Sequence, residues 1–158
     1  IASAGVRADG LLHVEVVEHR PGTSWVPERL AELVRRWTPS AVVLDVGSEA
    51  GALLPELERL SMTLTKVSGR EMAQASVAFA ATVNDQALRH LDQANLNAAV
   101  AAAKRRTVGD LWAFGRRGSF TDISPLIATA LAAWGHAQNV GRAPQIIDPW
   151  SLEDEHDA

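Results

Sequence analysis

Ala41-Val42-Val43-Leu44-Asp45 is a short apolar run that ends in a carboxylate, with Gly47 and Ser48 close behind. Runs of this length bounded by turn residues read as strands buried on both faces. Open α/β sheets place their ligands just beyond the carboxyl ends of such strands. Asp45 therefore has two readings. It caps the turn after its strand, or it faces a ligand crevice.

Working outward, Thr38-Pro39 stops a helix that runs from about Trp25 to Trp37, with Val26, Leu30, Leu33, Val34 and Trp37 at helical spacing. Before it, residues 1–8 and 11–19 flank Asp9-Gly10, a strong hairpin signal. The second arm, Leu12 to His19, alternates apolar and polar residues, which places His13, Glu15 and His19 on a solvated face. After the central strand comes a helix through Leu53, Leu54, Leu57 and Leu60, then a strand from Thr63 to Val67. The order β-β-α-β-α-β predicts a mixed sheet with helices on its faces.

The second half is mostly helical. Residues from Arg70 to about Gln86 form a long helix with Met72, Ala75, Phe79 and Val83 on one stripe. Leu91-Asp92-Gln93 interrupts it, and 94–106 reads as an alanine-rich helix whose last turn holds Lys104, Arg105 and Arg106, where cations complement the helix dipole. Thr107 to Phe114 is expected to be an edge strand and Arg116 to Ser119 a turn. The last helix begins near Ser124-Pro125, with serine as N-cap, proline at the first helical position, and Ile127, Leu131 and Trp134 on one face. The domain is expected to span 1–138. Residues 139–158 form a carboxy-terminal tail that ends in acidic residues and is expected to fray.

Composition narrows the chemistry. The chain has 158 residues, a length that suits one domain, and no cysteine, which excludes disulfides, thiolate zinc sites and a thiol nucleophile. The net charge of −4 gives no global attraction to nucleic acid. Any such binding has to come from the dense basic clusters, Lys104-Arg105-Arg106 and Arg116-Arg117, which are otherwise a solvated helix end and turn. No P-loop signature, no metal-type histidine spacing and no membrane-length apolar run is present. Asp122, just before the last helix, reads as a dipole-facing acid or as a partner for Asp45. Glu49 and Glu71 are expected to be solvated, and His90 to cap a helix.

The pieces AVVLDVGS (41–48), VSGREMAQ (67–74), LRHLD (88–92) with LNAA (96–99), GDLWAF (109–114) with Arg116-Arg117, and DISPL (122–126) occur in a characteristic order. In that order the chain resembles the nuclease domain of the large terminase subunit of tailed bacteriophages. The resemblance runs from the hairpin to about Gln138. It implies an RNase H-like fold, a mixed five-stranded sheet flanked by helices. It also implies a site of three acids that holds two divalent ions, Mg2+ or Mn2+, for phosphodiester hydrolysis. By matching positions, Asp45 is the fourth-strand acid and Asp122 the late-helix acid. The first-strand aspartate has no match, and the first strand itself is expected to lie before Ile1, so this chain can be inactive as it stands.

The resemblance further implies a metal-dependent endonuclease that cuts concatemeric double-stranded DNA during genome packaging. Lys104, Arg105, Arg106, Arg116 and Arg117 would lie on the DNA backbone. An upstream ATPase domain, a portal and a small terminase subunit are the implied partners, and the cytoplasm of the bacterial host is the implied location, with no membrane role. Two other readings compete: a catalytically incomplete DNA-binding or docking module of the packaging machinery, and another RNase H-like nuclease such as a junction resolvase.

Overall fold

A computed structural model describes residues 1–140. Its elements are β1 (Ala2–Val6), β2 (Leu12–Val16), α1 (Val26–Trp37), β3 (Val43–Asp45), a 3-10 turn (Glu49–Leu53), α2 (Leu54–Arg59), β4 (Thr65–Val67), α3 (Gly69–Asn84), β5 (Leu88–Arg89), α4 (Ala94–Ala102), β6 (Lys104–Val108), β7 (Leu111–Gly115) and α5 (Ser124–Gln138). The mixed α/β class is as the sequence predicts. The single five-stranded sheet is not what the described residues form. Their strands fall into three groups: β1-β2-β5, β3-β4 and β6-β7. The acidic end of the tail lies outside the described residues.

The first group is built on the predicted hairpin. β1 and β2 pair antiparallel, Ala2 opposite Val16, and Gly10 takes the positive φ of 82° that its turn requires. β5 adds in parallel at Leu12 and His13. At the far end of β2 the Gln93 side chain stands in for a strand residue. Its Oε1 accepts from the Val16 N–H and its Nε2 donates to the Val16 carbonyl, each at 2.8 Å. The second group is the parallel pair β3-β4, with Asp45 opposite Val67.

α5 joins the two groups. It packs against β1, β2, β3, α3 and α4, and Ile123, Leu126, Ile127, Ala130 and Leu131 are buried with Val14, Met72 and Phe79 in the main core. Leu44, Leu53 and Leu57 form a second core beneath β3. α5 begins beside the end of β2, where His19 meets Ser124. Its other end approaches β3, where a Cβ on Gly135 would sit 2.4 Å from Val43 Cγ2. Helix and strand can approach this closely because position 135 carries no side chain. Gly135→Val is expected to cost about 1–3 kcal/mol through overpacking, read as a lower urea midpoint at unchanged m-value.

Three sequence expectations are corrected. The alanine-rich helix ends at Ala102, and Ala103 is extended with ψ 133°. Lys104, Arg105 and Arg106 therefore lie on a strand, β6, and not in a helical last turn. Arginine and lysine are good helix formers, but the chain can turn at Gly109 (φ 57°) and pair back on itself, and this tertiary pairing prevails. The stripe of α3 ends at Phe79, since Val83 is 47% exposed. Finally, Ser124 is the first helical residue rather than the cap, and the side chain that meets its N–H comes from Asp122.

Candidate functional site

β3 delivers Asp45 to the end of its sheet with its side chain buried, 7% exposed. Its Oδ1 accepts from the Gly47 N–H at 3.0 Å, so the turn-capping reading is satisfied. Ser48 reinforces the turn. Its hydroxyl donates to the Asp45 carbonyl at 2.8 Å and accepts from the Ala50 N–H at 3.2 Å. The chain then folds back so tightly that a Cβ at Gly51 would lie 2.3 Å from the Val46 carbonyl oxygen, an approach only glycine tolerates. The second carboxylate oxygen of Asp45, Oδ2, accepts from Arg116 at 3.1 Å.

Asp122 lies at the head of α5. Its Oδ1 accepts from the Ser124 N–H at 2.8 Å, and its Oδ2 accepts from the Ser124 hydroxyl at 3.0 Å and faces His19 Nε2 at 2.9 Å. Partial burial pushes the Asp122 carboxyl up. The Ser124 backbone N–H, the His19 ring and the Ser124 hydroxyl outweigh it and hold the pKa below the ordinary aspartate value. A depressed folded pKa contributes stability that is full above the unfolded value and is lost as pH falls through the folded one. Asp122→Asn is therefore expected to be less stable than the parent near neutrality, with the gap closing in acid below the ordinary carboxylate range. Thermal melts across that range check it.

Asp45, Arg116, His19 and Ser124 line one cleft of about 390 Å3. Asp45 thus lines the cleft itself, whereas Asp122 adjoins it only through its partners His19 and Ser124. Alternation alone places His19 on an open strand face; the turn after β2 carries it instead to Asp122, more than 100 residues away in sequence, a meeting no local pattern shows. Among the described residues no group of three His, Asp or Glu is placed to hold a metal ion. Two acids whose oxygens are already engaged do not by themselves fit a two-ion centre.

The other candidates are accounted for locally. Glu71 closes the first turn of α3, accepting from the Ser68 hydroxyl at 2.5 Å and the Ser68 N–H at 3.0 Å; the hydroxyl bond leads in lowering its pKa. Glu49 is exposed at the start of the 3-10 turn. His90 accepts from the Asp92 N–H at 3.2 Å and so braces the turn before α4.

The basic residues gather where the sequence leaves them apart. On a single edge strand the two clusters would sit at opposite ends. In the β6-β7 ribbon Lys104 pairs with Gly115, so Arg116 and Arg117 continue from the same end. Lys104, Arg105 and Arg106 are all exposed. Arg105 stacks over Trp112 at 4.1 Å, and Lys104 lies 4.4 Å from the ring of Phe120. The ribbon is fastened to α3 through Ser76, whose buried hydroxyl donates to the Met72 carbonyl and accepts from the Phe114 N–H.

No helix among the described residues is long and apolar enough to cross a membrane. No protein-family model matches the sequence, and no curated protein matches it. Among solved structures, the crystal structure of the HK97 bacteriophage large terminase is similar, with a TM-score of 0.65 at 14% sequence identity. The match covers 83% of this chain and 35% of that one, so the chain spans about a third of its length. The expected likeness is therefore met at the level of architecture: this chain has the fold of a terminase-like domain.

Proposed function

We propose that the chain is a nuclease domain of a terminase-type DNA-packaging protein, hydrolysing phosphodiester bonds in double-stranded DNA with Mg2+ or Mn2+. One observation carries this reading: the strand-end acid Asp45 lines a cleft that His19 and Ser124, the partners of the helix-head acid Asp122, also line, in a chain with a large-terminase fold. Both acids are proposed as metal ligands. A third acid on an additional strand, which would make five with β1, β2, β3 and β4, belongs to the same proposal, as do an ATPase domain, a portal and a small subunit as partners and the host cytoplasm as location.

The β6 cations and Arg116-Arg117 are proposed to hold the DNA backbone. Contacts to phosphate carry no sequence information, so low sequence specificity belongs to the proposal. Replacing Lys104, Arg105 and Arg106 together by alanine is expected to weaken DNA binding equally for unrelated sequences. The salt dependence of log K should flatten by about 0.9 for each phosphate that is no longer neutralised. An unchanged slope would remove the ribbon from the interface.

A second reading has its own support. Asp45 is held by Arg116 and Asp122 by His19, an arrangement equally suited to a DNA-binding or docking module without metal. Calorimetry with Mn2+ separates the two. Saturable binding that Asp122→Asn removes supports the nuclease reading; heats indistinguishable from buffer, with DNA binding intact, support the module. Cleavage confined to four-way junctions would instead indicate a resolvase.

A further inference from the structure

Residues 116–123 join β7 to α5. Arg116 at the start of this loop holds Asp45, and Asp122 near its end meets His19. Phe120 stands between them and is 89% exposed, the most of any large apolar side chain among the described residues. The chain has three phenylalanines. Phe79 and Phe114 pack edge to face at the main core, so only the third is left in water. The loop presents it on a braced turn. Gly118 takes a φ of 85°, and the Ser119 hydroxyl donates to the Gly115 carbonyl at 2.7 Å.

A single exposed apolar side chain is ordinary. This one differs in its company. Lys104 lies 4.4 Å from the centre of its ring, Arg116 and Arg117 precede it in the loop, and Arg105 and Arg106 follow Lys104 along β6. The core of a protein–protein contact is depleted of charged residues, lysine among them, so a phenylalanine with Lys104 on its ring suits a protein partner poorly. It suits DNA. The cations neutralise phosphates, and the flat ring offers a face on which a base can stack. Every base has such a face, so stacking adds affinity without reading sequence. In an intact duplex those faces are covered by neighbouring base pairs. An apolar side chain reaches them only where a step is prised apart or already open.

We propose that Phe120 is a base-stacking wedge. It inserts where the base stack is open, next to phosphates held by the cations of the ribbon and the loop. The domain therefore prefers DNA with unpaired bases over uninterrupted duplex. Because the loop begins at Arg116, which lines the cleft with Asp45, the opened step lies beside that cleft. The proposal rests on the DNA-binding part of the reading above and needs neither metal nor cleavage.

The test measures binding of the 158-residue chain to labelled duplexes in EDTA by fluorescence anisotropy. The duplexes share one sequence and differ only in a central single-stranded gap. The parent is expected to bind gapped DNA at least about fivefold tighter than intact DNA, the lower end of what one aromatic–base stack contributes. Phe120→Ala, with the parent's far-UV circular dichroism, is expected to bind both alike. It should keep the parent's salt slope, because no phosphate contact is lost. Phe120→Trp is expected to keep the preference, since indole stacks as well as phenyl. Equal, salt-dependent binding of both DNAs by the parent would overturn the wedge and leave the ribbon interface standing. A preference that Phe120→Ala retains would also overturn it, because the flexibility of the gap then accounts for the difference. Absence of salt-dependent binding to either DNA would overturn the interface and the wedge together.

Discussion

Asp45→Asn is expected to abolish metal-dependent plasmid cleavage by the polypeptide that carries this domain while leaving the domain folded. Asparagine keeps the size of the side chain and an oxygen for the Gly47 N–H, so the turn after β3 survives. The pair with Arg116 is lost, but the Arg116 side chain is 43% exposed and can return to water. The charge left behind sits on the exposed partner and not in the interior, so the stability cost should stay below the roughly 3–5 kcal/mol of breaking a fully buried pair. The proposed role as metal ligand is lost completely, because a neutral amide does not balance a divalent ion. The loss of rate should exceed the roughly 10–100-fold that removing an outer-shell partner costs a metal site. Supercoiled plasmid with Mn2+ gives the rate, and thermal melting verifies the fold. Cleavage at the parent rate by a folded Asp45→Asn variant would show that Asp45 is only the cap of its turn.

Leu57→Ala is expected to have the largest effect on stability. Leu57 is fully buried and sits with Leu44 and Leu53 in the core beneath β3. The partly buried Leu30, Leu54, Met62 and Leu64 pack against this core. A buried leucine truncated to alanine costs about 2–5 kcal/mol, more where the site cannot collapse. The effect should also be local. The β3-β4 pair is one small sheet, held to the rest through α5 and α3, and its amides should exchange faster in the variant while those of β1 and β2 do not. Urea unfolding measures the first effect and hydrogen exchange the second. A loss below about 1 kcal/mol, or uniform loosening, would mean that the β3-β4 unit does not depend on its own core.

The two effects separate what Asp45 does from what holds it in place. Leu57 supports the strand from below, and Gly51 lets the chain fold back over its end. A side chain at position 51 meets backbone oxygen, not a flexible neighbour. The end of β3 is therefore set by packing on both sides, and Asp45 projects from a rigid base.

Much of this is legible in local pattern. The hairpin at Asp9-Gly10, the helix ending before Thr38-Pro39 and the strand ending at Asp45 follow from turn chemistry and periodicity, which act over a few residues. The resemblance to terminase nucleases comes from the order of short pieces, none strong alone, and the solved large-terminase structure agrees with it as a fold. The ribbon β6-β7 escapes a local reading because its first strand continues an alanine run in residues that favour helix. Only its pairing with residues 111–115 and its fastening to Ser76 make it a strand.

By itself, then, the sequence determined the elements whose causes are local, the class of fold and the acids worth testing. The tertiary structure alone decided their company. It put His19 against Asp122, Arg116 against Asp45 and Gln93 along β2. It brought the two basic clusters to one end of a ribbon. The physical reason is range. Propensity, capping and periodicity operate within a turn or two of chain, whereas ion pairs and strand pairings depend on which distant segments the core forces together.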